Sequence, residues 1–100
     1  MPSVTVQEAY DQIVAYIKER GGVYGNWYAG IASDARTRLF TDHKVSEEKG
    51  AWIYRTCSDD TAARNVEDDL LKLGCDGESG GGDSSTTQVY AYLKTNSTDP

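Results

Sequence analysis

Three segments with a helical pattern alternate with three strand-like segments, and this order limits the fold more than any other feature of the sequence. The first helix is predicted to begin after Thr5, because Thr5 and Glu8 have the spacing of a capping box, and to end at Gly21. Further helices are predicted at about residues 34–43 and 59–73, and strands at residues 23–31, 51–56 and 88–93. The pattern predicts an α+β fold.

A chain of 100 residues is long enough for one domain and too short for two. Residues 1–100 are therefore interpreted as a single domain. Within it, residues 76–86 are rich in glycine and are predicted to form a mobile loop. They lack the Gly-Lys-Ser/Thr sequence of a Walker phosphate loop. Residues 95–100 are expected to fray as a terminal tail.

Charge and cysteine content limit the classes of partner and the compartment. The formal net charge of −6 repels phosphate backbones, so it opposes nucleic acid as a partner. A protein partner and the oligomeric state are left open. No apolar run approaches the ~20 residues needed to cross a bilayer, so no association with a membrane is expected. The first residues do not have the pattern of a signal peptide, which predicts a cytoplasmic location. Cys57 and Cys75 are expected to be free thiols there.

A carboxylate interrupts the apolar face of the third predicted helix. At 100° per residue, Glu67 lies within the arc that Ala63 and Leu70 define, whereas Asp68 and Asp69 point away from it. A buried glutamate is costly unless it is paired, protonated or bound to a metal. Glu67 is therefore interpreted either as a ligand or acid–base group, or as a residue that reaches water or pairs with an arginine.

The segment before Glu67 contains a second pattern. The triplet Tyr28-Ala29-Gly30 ends a strand, Arg38 follows eight residues after the glycine, and His43 comes five residues further on. A strand and a helix that begins Ser-Asp-Asp-Thr-Ala-Ala come next, and Glu67 lies on that helix. Over about residues 27–73 this pattern resembles the GIY-YIG nuclease superfamily, as a divergent member. The resemblance implies a small three-stranded, mainly antiparallel sheet flanked by helices.

The first strand of the family pattern is missing. Gly22-Val23-Tyr24 stands only three residues before Tyr28, which is too short for a strand, a turn and a second strand. We expect residues 89–92 to fill that place beside Tyr28, as in a circularly permuted arrangement. Tyr90 or Tyr92 would then replace the absent tyrosine.

The resemblance also implies a chemistry. One divalent metal, Mg²⁺ or Mn²⁺, would be held by Glu67 and would polarise the phosphate oxygens during phosphodiester hydrolysis. Arg38 would stabilise the charge on the phosphate. Tyr28, helped by Tyr90 or Tyr92, would position or deprotonate water, and His43 is an alternative base.

Each role has a structural alternative. Tyr28 is then a half-buried strand tyrosine, Arg38 pairs with Glu67 without any metal, and His43 interacts only with a helix C-terminus. Two functions follow. The first is a metal-dependent endonuclease, and the second is a non-catalytic domain of the same fold with a protein-binding or regulatory role.

Overall fold

The computed structural model describes residues 3–77 and 82–100 as an α+β fold. In chain order the elements are α1 (Val6–Glu19), β1 (Trp27–Ala32), α2 (Ala35–Thr37), β2 (Trp52–Thr56), α3 (Asp60–Leu73) and β3 (Gln88–Leu93). The predicted fold class and order of elements are confirmed. Residues 78–81 of the predicted mobile loop lie outside the described residues.

All three strands form one antiparallel sheet in the order β1-β3-β2. The last strand of the chain is thus the central strand of the sheet. Tyr92 lies opposite Tyr28, and Tyr90 lies opposite Gly30. The expectation that the last strand pairs beside Tyr28 is confirmed. On the other side of β1, Asp76 accepts a hydrogen bond from the Ala29 N–H at 2.8 Å.

Local signals place the ends of the two long helices. The Thr5 hydroxyl accepts from the Glu8 N–H at 3.1 Å, and the Glu8 carboxylate accepts from the Thr5 N–H at 3.0 Å, which completes the predicted capping box. Asp59 caps α3, and Gly74 ends it with a φ of 120°. None of the helices among the described residues is both long and apolar enough to cross a membrane.

The first strand begins later than predicted. A 3₁₀ turn occupies Tyr24–Asn26, so that β1 begins at Trp27 and not at Val23. Gly25 and Asn26 lie in this turn, and glycine and asparagine are residue types that favour turns. Here that local turn preference outweighs the β-branched and aromatic composition of the segment.

The two faces of the sheet belong to separate hydrophobic clusters. Alternate residues of a strand point to opposite faces, and Ala29, Val89 and Ala91 pack with α1 and α3. Tyr28, Tyr90 and Tyr92 point to the opposite face, where they pack with Leu39 and Phe40. We call this second surface the tyrosine face.

The second helix differs from the prediction. An α-helix was expected over residues 34–43, but α2 has only three residues and is followed by a π-helical turn, Arg38–Asp42. The His43 N–H donates to the Arg38 carbonyl at 2.8 Å, five residues back. In an α-helix, residues five apart would lie about 140° apart around the axis. The wider π turn brings Arg38 and His43 towards the same side.

The Gly30→Ala substitution tests the close approach of the two paired strands. A Cβ atom on Gly30 would stand 2.5 Å from the Tyr90 hydroxyl oxygen, and Tyr90 is 1% exposed and has little room to move. We expect the free energy of unfolding to fall by about 1–3 kcal/mol in urea denaturation, as for other overpacked sites.

Gly25→Ala is the matched control, because no heavy atom lies within 4 Å of its Cβ position. Its free energy of unfolding should stay within about 0.5 kcal/mol of the wild-type value. Equal effects of the two substitutions would contradict the steric role of Gly30.

Candidate functional site

A pocket of about 480 Å³ opens beside β1. Three of the predicted site residues line it, namely Tyr28, Arg38 and His43. The remaining lining residues are Asp42, Asp76, Gly77, Asp99 and Pro100. Side chains from β1, from the π turn, from the segment after α3 and from the end of the chain therefore converge on one concave surface.

His43 is held at both ring nitrogens. Its Nε2 atom lies 2.7 Å from the Tyr90 hydroxyl, and its Nδ1 atom lies 2.8 Å from the Asp99 carbonyl oxygen and 3.2 Å from the Tyr92 hydroxyl. The imidazole is 5% exposed, and its centroid lies 4.8 Å from that of the Tyr28 ring. These contacts fix the ring in one orientation at the wall of the pocket.

Tyr90 is in contact with the site but does not line the pocket. Burial raises the pKa of its phenol to about 12, while the Arg38 guanidinium acts in the opposite direction. Burial also raises the pKa of Tyr92. Both phenols are therefore protonated at neutral pH, and the Tyr90 O–H is available as a donor to His43.

Arg38 lies at the mouth of the pocket. Its Nε atom is 3.4 Å from a carboxylate oxygen of Asp42, and both side chains are about half exposed. An exposed ion pair of this kind contributes little to stability. The guanidinium therefore keeps donors that an anionic ligand can use.

Glu67 is buried, as its position on the apolar arc of α3 indicated, and is 1% exposed. Within residues 3–77 and 82–100, its Oε1 atom has no hydrogen-bond partner. Burial, together with the neighbouring Asp68 and against the opposite effect of Arg64, raises the pKa of this carboxyl to about 7. The alternative of a structural pair between Glu67 and Arg38 is not observed, since Arg38 pairs with Asp42.

The position of Glu67 does not fit a Mg²⁺ site at the pocket. Its helix packs on the face of the sheet opposite the tyrosine face, and Glu67 is not a lining residue. Mg²⁺ retains several waters in proteins, which a carboxylate with 1% exposure leaves no room for. The part of the chain that the structure describes also contains no group of three or more His, Cys, Asp or Glu placed to hold a metal.

Sequence reasoning missed the aspartates of the pocket. Asp42, Asp76 and Asp99 lie far apart along the chain, and neither Asp76 nor Asp99 belongs to a recognisable spacing pattern. The tail, for which fraying was expected, folds back so that the Asp99 N–H donates to the His43 carbonyl at 2.7 Å. A signal for Asp42 was present, because an aspartate four residues after Arg38 on a helix is a common ion-pair spacing.

Comparisons with protein-family models, with curated proteins and with solved structures gave no match. The resemblance to GIY-YIG nucleases therefore rests on the residues of this chain alone.

The Glu67→Gln substitution tests the buried carboxylate. Because the pKa in the folded state lies above the ordinary glutamate value of 4.5, the folded state binds more protons, and stability falls as pH rises from about 4.5 through about 7. The difference between these pKa values corresponds to up to roughly 3 kcal/mol. The neutral glutamine avoids this loss. The free energy of unfolding of the variant minus that of the wild type, measured by urea denaturation, should therefore be larger at pH 8 than at pH 5.

Glu48→Gln, which removes an exposed carboxylate from the loop before β2, provides the control. Its stability difference from the wild type should be nearly the same at both pH values. A Glu67→Gln difference that does not change with pH would show that Glu67 titrates as an ordinary surface carboxylate.

Proposed function

We propose that the pocket is the site of a nuclease-like domain that hydrolyses phosphodiester bonds in nucleic acid. The observation that carries the proposal is the convergence of Tyr28, Arg38 and His43 on one pocket, with Tyr90 hydrogen-bonded to His43. These are the four residues that the GIY-YIG resemblance implies for catalysis. The pairing of β3 beside β1 supports it, because this pairing supplies the tyrosine that the family pattern otherwise lacks.

The residues of the pocket have separable roles in this proposal. Arg38 binds a phosphate oxygen and stabilises the charge that develops on it, since its planar donors match phosphate geometry. The Tyr28 hydroxyl orients a water molecule towards phosphorus. Attack by water forms a new P–O bond and breaks the P–O ester bond. The water loses one proton and the leaving oxygen gains one, and His43 at the wall of the pocket is the group that carries this proton in the proposal.

The proposed roles of the pocket residues do not include a magnesium ion, and the assay tests whether the activity needs one. The buried, unpartnered carboxylate of Glu67 is the feature that recommends it as a ligand, but its helix lies on the other face of the sheet. Glu67 as a metal ligand therefore stays a prediction. If Mg²⁺ or Mn²⁺ binds there, adding it should raise the thermal stability of the wild type and not that of Glu67→Gln.

The proposal is tested by cleavage of single-stranded, duplex and branched DNA, with Mg²⁺, with Mn²⁺ and with a chelator. We expect Arg38→Ala to lower the rate by about 10²-fold or more, because it removes a charged donor from the transition state. Tyr28→Phe, which removes one hydroxyl and keeps the ring, should also lower the rate. Arg20→Ala is the matched control, since Arg20 is an arginine on the surface at the end of α1 and does not line the pocket.

Cleavage that survives Arg38→Ala and Tyr28→Phe at the wild-type rate would come from a contaminant and would contradict the proposal. So would a folded wild-type protein that cleaves none of the substrates under any of the three conditions.

A second candidate function is non-catalytic binding of a protein partner, and the charge of the pocket favours it. The pocket is lined by one arginine, Arg38, and by three aspartates, Asp42, Asp76 and Asp99. Arg38 is itself paired with Asp42. Asp76 is paired with Lys94 at 3.2 Å, whereas no ion pair of Asp99 occurs within the described ranges. A pocket with this balance attracts a basic side chain more readily than a phosphate.

Two defined probes separate the two functions. A short oligothymidylate and a tetralysine peptide are titrated at low salt against the wild type and Asp99→Asn. The nuclease proposal predicts oligothymidylate binding that becomes tighter in Asp99→Asn. The protein-binding alternative predicts tetralysine binding that becomes weaker in the same variant, with no measurable oligothymidylate binding.

A cytoplasmic location also belongs to the proposal. It is supported by Cys57 and Cys75, which are both buried and free.

A further inference from the structure

We propose that Asp99 is a positioning residue of the site. Its main-chain carbonyl fixes His43 in the neutral tautomer that carries the proton on Nδ1, so that the Nε2 lone pair accepts the Tyr90 hydroxyl proton. A role of this arrangement in catalysis rests on the proposed function. The assignment of the tautomer rests only on the hydrogen bonds of the ring.

The Nδ1 side of the ring decides the tautomer. A carbonyl oxygen can only accept a hydrogen bond, and the Asp99 oxygen lies 2.8 Å from Nδ1. If Nδ1 were unprotonated, two lone pairs would face each other at that distance. Nδ1 therefore carries the proton, and the Tyr92 hydroxyl, at 3.2 Å from the same atom, is the weaker of its two partners.

The Nε2 side follows from the first assignment. A neutral imidazole protonated on Nδ1 has its lone pair on Nε2, and the Tyr90 hydroxyl lies 2.7 Å from it. Tyr90 is thus the donor and His43 the acceptor. Because burial keeps the phenol protonated, this hydrogen bond joins Tyr90 to the ring without transfer of the proton, and Arg38 contacts the same phenol.

The segment that carries Asp99 is anchored to the domain. The Asp99 N–H donates to the His43 carbonyl at 2.7 Å, so main-chain groups of Asp99 bind both the backbone and the ring of His43. A turn precedes it, in which the Thr98 N–H donates to the Thr95 carbonyl at 3.2 Å and the Thr95 N–H donates to the Thr98 hydroxyl at 3.0 Å. These bonds present the Asp99 carbonyl to the ring without any contribution from the Asp99 side chain.

Because the contacts with His43 come from the main chain of Asp99, substitutions can distinguish a role of the carbonyl from a role of the carboxylate. Asp99→Pro removes the N–H that anchors the residue to His43 and so releases the carbonyl. Asp99→Asn keeps the main chain and removes only the charge. A positioning role through the carbonyl predicts that the first substitution changes the tautomer of His43 and that the second leaves the tautomer unchanged, whatever the lost charge does to ligand binding.

Long-range ¹H–¹⁵N NMR of the histidine ring measures the tautomer directly, and His43 is the single histidine of the sequence. Above the titration range of the imidazole, we expect the wild type and Asp99→Asn to show protonation on Nδ1. Tyr92→Phe and Tyr90→Phe should keep it as well, because both leave the Asp99 carbonyl in place. In Asp99→Pro, the ratio of Nδ1–H to Nε2–H should fall by about tenfold, as expected for the loss of one hydrogen bond to the ring.

A wild-type spectrum with the proton on Nε2 would overturn the proposal, and so would a folded Asp99→Pro protein with an unchanged ratio. A fall in the ratio in Tyr92→Phe would overturn it too, because Tyr92 would then be the group that sets the tautomer. Since the measurement needs no substrate, these outcomes are independent of whether the protein cleaves nucleic acid. If the tautomer is as proposed and no cleavage is found, only the nuclease function fails.

Discussion

The close packing of Tyr90 over Gly30 is the contact on which the candidate site depends. It allows the central strand to present a bulky phenol directly opposite its neighbour in β1. The hydroxyl at the end of that phenol then meets the imidazole of His43 from the π turn. Gly30 in the edge strand β1 thus leaves the space that the Tyr90 ring needs to reach His43.

A buried carboxylate with one unpartnered oxygen is the second constraint, and it acts on stability more than on chemistry. Glu67 occupies a place among Ala63, Val66 and Leu70 that an apolar side chain would fill at lower cost. Unpaired charges of this kind persist where something other than stability favours them. Glu67 does not line the pocket, but it lies close enough to Tyr90 to raise the pKa of that phenol, which Arg38 lowers.

Much of the fold could be predicted because its signals are local. The capping box at Thr5, the cap at Asp59 and the glycine after α3 each satisfy backbone groups within a few residues, and the structure shows all three. The site was only partly predictable. The GIY-YIG resemblance pointed to Tyr28, Arg38 and His43, but it placed Arg38 and His43 on an α-helix. The π turn that brings these two residues to one pocket has no sequence signal of its own. The aspartates were missed because only the folded chain brings them together.

The position of β3 has a consequence for the order in which this chain acquires structure. The strand at the centre of the sheet is synthesised last, and during translation β1 and β2 have no strand between them to pair with. Both strands stay unpaired until β3 has left the ribosome, so the sheet depends on contacts that are distant in sequence and therefore forms slowly. The caps of α1 and α3, in contrast, join residues only three apart and do not depend on β3.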